Sequence, residues 1–189
     1  MQRQYPWLFV TLCVAVLTSH SAYARTSKGG VEHADGAYAA VAPTERARPN
    51  PRFTPGAVDP RVTQANIHET ICVRGYTKTV RPPQQFTREL KVRQIRLYGY
   101  DDKRLRDYEE DHLVALEIGG SPDSAKNLWP QPRHVIGNWG SLAKDKLENR
   151  LHSLVCRRKV SLAQAQREMA HDWIAAYKRY IGPKPPAYR

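Results

Sequence analysis

Between Tyr108 and Pro130 the chain passes from an acidic stretch, Tyr108-Glu109-Glu110-Asp111-His112-Leu113, through Gly119-Gly120 to a return segment, Asn127-Leu128-Trp129-Pro130. Paired glycines admit tight turns and close backbone approach that other residues resist. The flanking segments therefore read as two short neighbouring strands joined by a compact loop, with Asn127 returning beside His112. On a regular strand the side chains of Asp111 and His112 leave on opposite faces, unless a twist or bulge near the glycines re-aims one of them.

The N-terminal end reads as a targeting segment. Residues 1–24 carry Arg3, an apolar core from Trp7 to Leu17 and an Ala22-Tyr23-Ala24 cleavage signature, so an exported protein beginning near Arg25 is expected, periplasmic or secreted. The apolar run is short for a bilayer span, and no membrane attachment is expected after cleavage. Cys13 leaves with that segment. Cys72 and Cys156 remain, and in an oxidising compartment they most simply form one intramolecular disulfide. It would close a loop of more than eighty residues and stabilise the fold by about 4–5 kcal/mol in the chain-entropy description. Without a CxxC pair, a cysteine-held zinc site is not expected.

Residues 25–60 contain Pro43, Pro49, Pro51, Pro55 and Pro60 and no sustained apolar period, the composition of a flexible Pro/Ala/Gly-rich leader. About 125 residues remain, enough for one domain over 61–182 and a short tail, 183–189. Thr63 opens a short helix reaching Cys72. Thr87 caps a second, which Gly99 stops after Tyr98; Leu90, Ile95 and Leu97 face inward, and Arg88, Lys91, Arg93 and Arg96 outward. That basic run fits a solvated face or a phosphate-binding stripe equally well. Ser141 caps a third helix running to Cys156, and the capping box Ser161-x-x-Gln164 opens a fourth, reaching Ile181. The fourth helix's stripe of Leu162, Ala165, Met169, Trp173, Tyr177 and Tyr180 has core spacing. The fold class is α+β, a mainly helical single domain around the strand pair, expected as a monomer.

The chain holds 30 Lys+Arg against 18 Asp+Glu, a net charge of +12, or +11 without the one arginine of the targeting segment, Arg3. That balance favours a polyanionic partner such as nucleic acid. Phosphodiester hydrolysis at neutral pH needs a base for water and a stabiliser for charge on the phosphate. Histidine suits the first task and a divalent cation the second. His112 is the candidate base and Asp111 a candidate metal ligand. Asn127 either accepts from the imidazole N–H or fixes the loop that orients it. On the third helix, Asp145, Glu148 and His152 share one narrow side while Leu147, Leu151 and Leu154 share another. The former are candidate ligands or an ordinary charged face. Trp129, Arg133, His134 and Trp139 follow the second strand, where aromatics and cations can stack on bases and hold phosphates, or simply pack. Trp129, between Leu128 and Pro130, favours packing.

With Asp111-His112, Gly119-Gly120 and Asn127-Leu128 followed by a helix, the segment resembles the HNH endonuclease family, the ββα-metal nucleases. Tyr108 to Pro130 with Lys144-Asp145-x-x-Glu148 and Val155-Cys156 is similar to small exported bacterial HNH-like proteins. The resemblance implies a ββα-metal unit with His112 as general base, Asn127 in its support and Asp111 as metal ligand. The family's final helical histidine has no clear counterpart, so Asp145, Glu148 or His152 would complete the shell. It further implies a divalent cation, Mg²⁺ first with Mn²⁺ or Zn²⁺ as alternatives, and cleavage of DNA or RNA with little sequence preference. The structural zinc that braces many relatives has no cysteines here; the Cys72–Cys156 bond could brace this version instead. The alternative is a non-catalytic exported module that keeps the scaffold to bind nucleic acid or another envelope polyanion.

Overall fold

Two five-residue strands carry the centre of the fold, β1 (Tyr108–His112) and β2 (Leu128–Pro132), antiparallel, with Asp111 opposite Trp129 and His112 opposite Leu128. A computed structural model of the chain describes residues 41–188. The expected targeting segment, and the leader as far as residue 40, lie outside the described residues. Among the described residues the helices are α1 (Tyr76–Val80), α2 (Gln84–Leu97), α3 (Ser141–Cys156) and α4 (Leu162–Tyr180). The architecture is α+β, and no described helix is long and apolar enough to cross a membrane.

α3 and α4 pack together over one core. Leu147, Leu151 and Val155 meet Leu162, Ala165, Met169, Trp173 and Tyr177 there, with Trp129 from β2 and Leu113, Val114 and Ile118 from the loop after β1. The Ser161 cap forms as expected, its hydroxyl accepting from the Gln164 N–H at 3.2 Å. α3 has the expected span, but Gly140 stands at its N-cap and the Ser141 hydroxyl donates instead to Glu109. α4 departs from helical geometry at Asp172, whose carboxylate accepts from the Ile174 and Ala175 N–H groups and caps the second half. α2 begins at Gln84, three residues before Thr87, because the rigid Pro83 starts it. Leu97 is exposed, and Gln94 takes the inward position, donating to the Leu128 carbonyl at 2.8 Å.

Two other segments differ from expectation. No helix forms over 63–72; the chain makes successive turns that bury Val62, Ile67 and Ile71. The Asn66 side chain accepts from Thr63 N–H and donates to Arg61 O, giving the backbone a local alternative to helix. The proline-rich stretch is not a loose leader over 41–60. It straps the domain: Ala42 bridges Val135, Val58 bridges Gly120, Trp173 Nε1 donates to Ala47 O, and the buried Thr54 hydroxyl bonds Tyr98 and Leu128 O. Proline forbids a regular ladder, but an extended strap needs only scattered partners. The tail also returns, with the Tyr188 hydroxyl accepting from Gly140 N–H and its ring edge-on to His134.

Cys72 and Cys156 are bonded, tying the turn segment to the end of α3. In the native protein both sulfurs should resist alkylation, and reduction should lower stability by up to about 4–5 kcal/mol. Denaturant melts with and without reductant test this; unchanged melts and two alkylatable native thiols would refute it.

Candidate functional site

β1 divides its acidic residues between two helices. Asp111 reaches α3, and Glu109 accepts from Ser141 at the start of that helix and pairs with Arg133. Glu110 lies towards α2, near Lys91, with both carboxylate oxygens buried and without a hydrogen-bond partner among the described residues. Burial pushes its carboxyl up to about 8, against the opposing charge of Lys91.

His112 ends the strand, 4% exposed. Its Nε2 lies 2.8 Å from the Pro122 carbonyl oxygen. A carbonyl only accepts, so Nε2 carries the proton and the lone pair of the neutral ring sits on Nδ1. Nδ1 has no hydrogen-bond partner among the described residues. Burial is the main force lowering the imidazole pKa, with the Pro122 contact and Asp111 opposing it and Lys144 and Arg81 adding to it. The ring is thereby kept unprotonated near neutrality, as a base must be.

Asn127 does not touch that ring. Its side chain is fully buried and makes four hydrogen bonds to backbone: Oδ1 accepts from Val114 and Ala57 N–H, and Nδ2 donates to Val114 O and Ser121 O. It therefore cross-braces the loop whose next residue, Pro122, holds His112. The glycines permit this closure. Gly119 has a left-handed φ of +75°, and a Cβ on Gly120 would collide with the Val114 carbonyl and crowd Asn127 Nδ2.

On α3 the expected ligands separate. Asp145 is exposed, its carboxyl pushed up to about 6 by burial of its surroundings and by Asp111 and Glu109 nearby. His152 turns away, Nε2 against the Ile71 carbonyl and Nδ1 3.7 Å from Glu117. Glu148 does approach Asp111, but Lys144 stands between them. Its fully buried ammonium donates to Asp111 Oδ2 at 2.6 Å, to the His112 carbonyl at 2.6 Å and to Glu148 Oε1. Burial pushes the Glu148 carboxyl up against the pull of Lys144, and the two carboxylates hold the Lys144 ammonium firmly charged.

Asp111, Asp145 and Glu148 do not bring three ligand atoms together. Among the described residues the one His/Cys/Asp/Glu group that does is Cys72, His152 and Cys156, whose sulfurs are bonded to each other. The expected divalent cation therefore does not fit this donor set as it stands.

Other candidates are mostly committed to packing. Trp129 is buried, and Trp139 stands edge-on to Trp173 and Tyr177. Arg133 is held by Glu109 and by the Arg106 carbonyl. Arg88, Lys91 and Arg133 line a groove of about 340 Å³ with Glu109 and Glu110, whereas Arg93 and Arg96 are solvated. A larger groove, about 730 Å³, runs along α4 by Pro51 and His171 and shares no residue with the His112 cluster. Arg81, which no sequence motif marks, is exposed, unpaired among the described residues and close enough to bias both His112 and Glu117. No family model, curated protein or solved structure matches the chain.

The Glu110 carboxyl has a pH signature. Its folded pKa lies above the ordinary carboxylate value, so its stabilising protonated form is complete at acid pH and is lost as pH rises towards about 8. Glu110→Gln should therefore gain stability relative to wild type between pH 5 and pH 8, by a few kcal/mol, read from urea melts at each pH. A pH-independent difference would contradict the assignment.

Proposed function

We propose that this chain is an exported endonuclease that hydrolyses phosphodiester bonds of DNA or RNA with His112 as general base. The observation that carries the reading is the fixed tautomer of His112, with Nε2 spent on the Pro122 carbonyl and Nδ1 left without a hydrogen-bond partner among the described residues. The order β1, glycine loop, β2, α3 agrees with the ββα-metal frame that the sequence resembles.

In this reading Nδ1 takes a proton from water as the oxygen bonds to phosphorus. The bond from phosphorus to the sugar oxygen breaks, that oxygen takes a proton from solvent, and His112 returns its own to solvent. Arg81, exposed, unpaired among the described residues and felt electrostatically at His112, would meet the negative charge of the non-bridging oxygens. Asn127 positions the base through the loop. Asp111 and Lys144 position it through the strand, since the buried Lys144 cannot reach a substrate. The net positive charge supplies backbone affinity that is indifferent to sequence.

The second reading, a non-catalytic polyanion-binding module on the same scaffold, draws on one observation. Asp111 and Glu148 are already neutralised in part by Lys144.

Cleavage of plasmid and RNA, assayed with Mg²⁺, Mn²⁺, Zn²⁺ or EDTA, separates the two. Catalysis should fall at least about 100-fold in His112→Ala and by less in Arg81→Ala. The pH–rate profile should rise to a plateau through a midpoint below the ordinary histidine value. Undiminished cleavage by His112→Ala would overturn the mechanism. Retention of DNA on filters with no cleavage under any condition would favour the binding module.

A further inference from the structure

We infer that the Lys144 ammonium is this site's resident cation, closing the Asp111–Glu148 pair to divalent metals, and that a metal site lies latent beneath it. The inference concerns the cation alone and stands whether or not the protein cleaves nucleic acid.

An ammonium has three N–H donors, and Lys144 directs all three at oxygen: one carboxylate from β1, one from α3 and the main-chain carbonyl of His112. Two carboxylates and a carbonyl are hard oxygen donors of the kind that hold Mg²⁺ or Mn²⁺. At 2.6 Å from Asp111 and from His112, the nitrogen stands about where such an ion would sit. The helix explains how it arrives there. At about 100° per residue, Lys144 falls in the middle of the apolar stripe of Leu147, Leu151 and Val155, and Glu148 at its edge. Asp145 is turned a further 60° or so towards solvent and cannot join them.

A metal would have to displace an ammonium that is 0% exposed and bonded on every proton. Displacement would cost the ammonium both of its ion pairs, to Asp111 and to Glu148, and its bond to the His112 carbonyl. Two carboxylates against one ammonium leave the cluster one negative charge in excess. Asp111 thereby adds to the burial that already pushes the Glu148 carboxyl up, and the two carboxylates are what would attract a divalent ion once the lysine side chain is gone. A cation supplied by the chain is fixed by the backbone and cannot be removed by a chelator.

The test is Mn²⁺ binding at pH 7.5, read from the electron paramagnetic resonance signal of free Mn²⁺ and from melting temperature. Wild type should show no binding that Asp111→Asn removes. Lys144→Ala should gain one Mn²⁺ equivalent and melt higher with Mn²⁺ than with EDTA, and adding Asp111→Asn should abolish both effects. A wild-type Mn²⁺ site lost in Asp111→Asn would overturn the inference, as would a folded Lys144→Ala protein with no gain. If Lys144→Ala folds only when refolded with Mn²⁺, that too supports it. If it folds under neither condition, the wild-type titration still decides. Cleavage enters none of these readouts, so failure here and failure of the nuclease reading remain distinct.

Discussion

A lysine ammonium withdrawn from water survives only where its charge is neutralised and each proton has an acceptor. Lys144 meets both conditions through Asp111, Glu148 and the His112 carbonyl, and those partners come from β1 and α3. The contact therefore fixes the helix against the strand at the residue where the candidate base begins. It also orders the surrounding acids. Asp111 and Glu148 are drawn inward, Asp145 remains at the surface, and Glu109 is left to meet Ser141 and Arg133. Were the lysine replaced by an apolar residue, the two carboxylates would face each other without compensation.

Around this point the structure builds a frame for a single imidazole. The buried amide of Asn127 holds both sides of the glycine loop, Gly120 allows the close approach, and the Pro122 carbonyl accepts a hydrogen bond from Nε2–H. These braces lie in the loop between β1 and β2, and the strap at Ala57 and Val58 holds that loop from a distant part of the chain. Such convergence holds one tautomer and one orientation, which general-base chemistry needs and simple packing does not. The Cys72–Cys156 bond closes the far end of α3 onto the turn segment, so α3 is anchored at both ends, by an ionic contact and by a covalent one.

Much of this was legible in the residues. The strand pair, the two long helices and the Ser161 box follow from periodicity and capping chemistry, and two cysteines in an even, isolated pair gave the bond. The strap was not legible, because prolines forbid a ladder without forbidding order: Thr54 and Ala47 show an extended chain using isolated donors and acceptors. The turn segment at 63–72 was lost to the side chain of Asn66, whose local bonds outcompete helix. At the site, His112 and the loop role of Asn127 were within reach, but the ligand set was not. Lys144 stands in the middle of the apolar stripe of α3, a placement that follows from spacing alone. A charged residue there demands partners, and that demand was the missed signal. Arg81 carries no such mark, since it reaches His112 only through the fold.

If a side chain and not a metal holds Asp111 and Glu148 together, a crystal structure of the native protein grown with Mn²⁺, with anomalous differences recorded, should show it. Lys144 Nζ should stand in hydrogen-bond contact with Asp111, Glu148 and the His112 carbonyl, with no anomalous peak among them. A Mn²⁺ peak bonded to Asp111, with the Lys144 side chain turned out of the cluster, would contradict it.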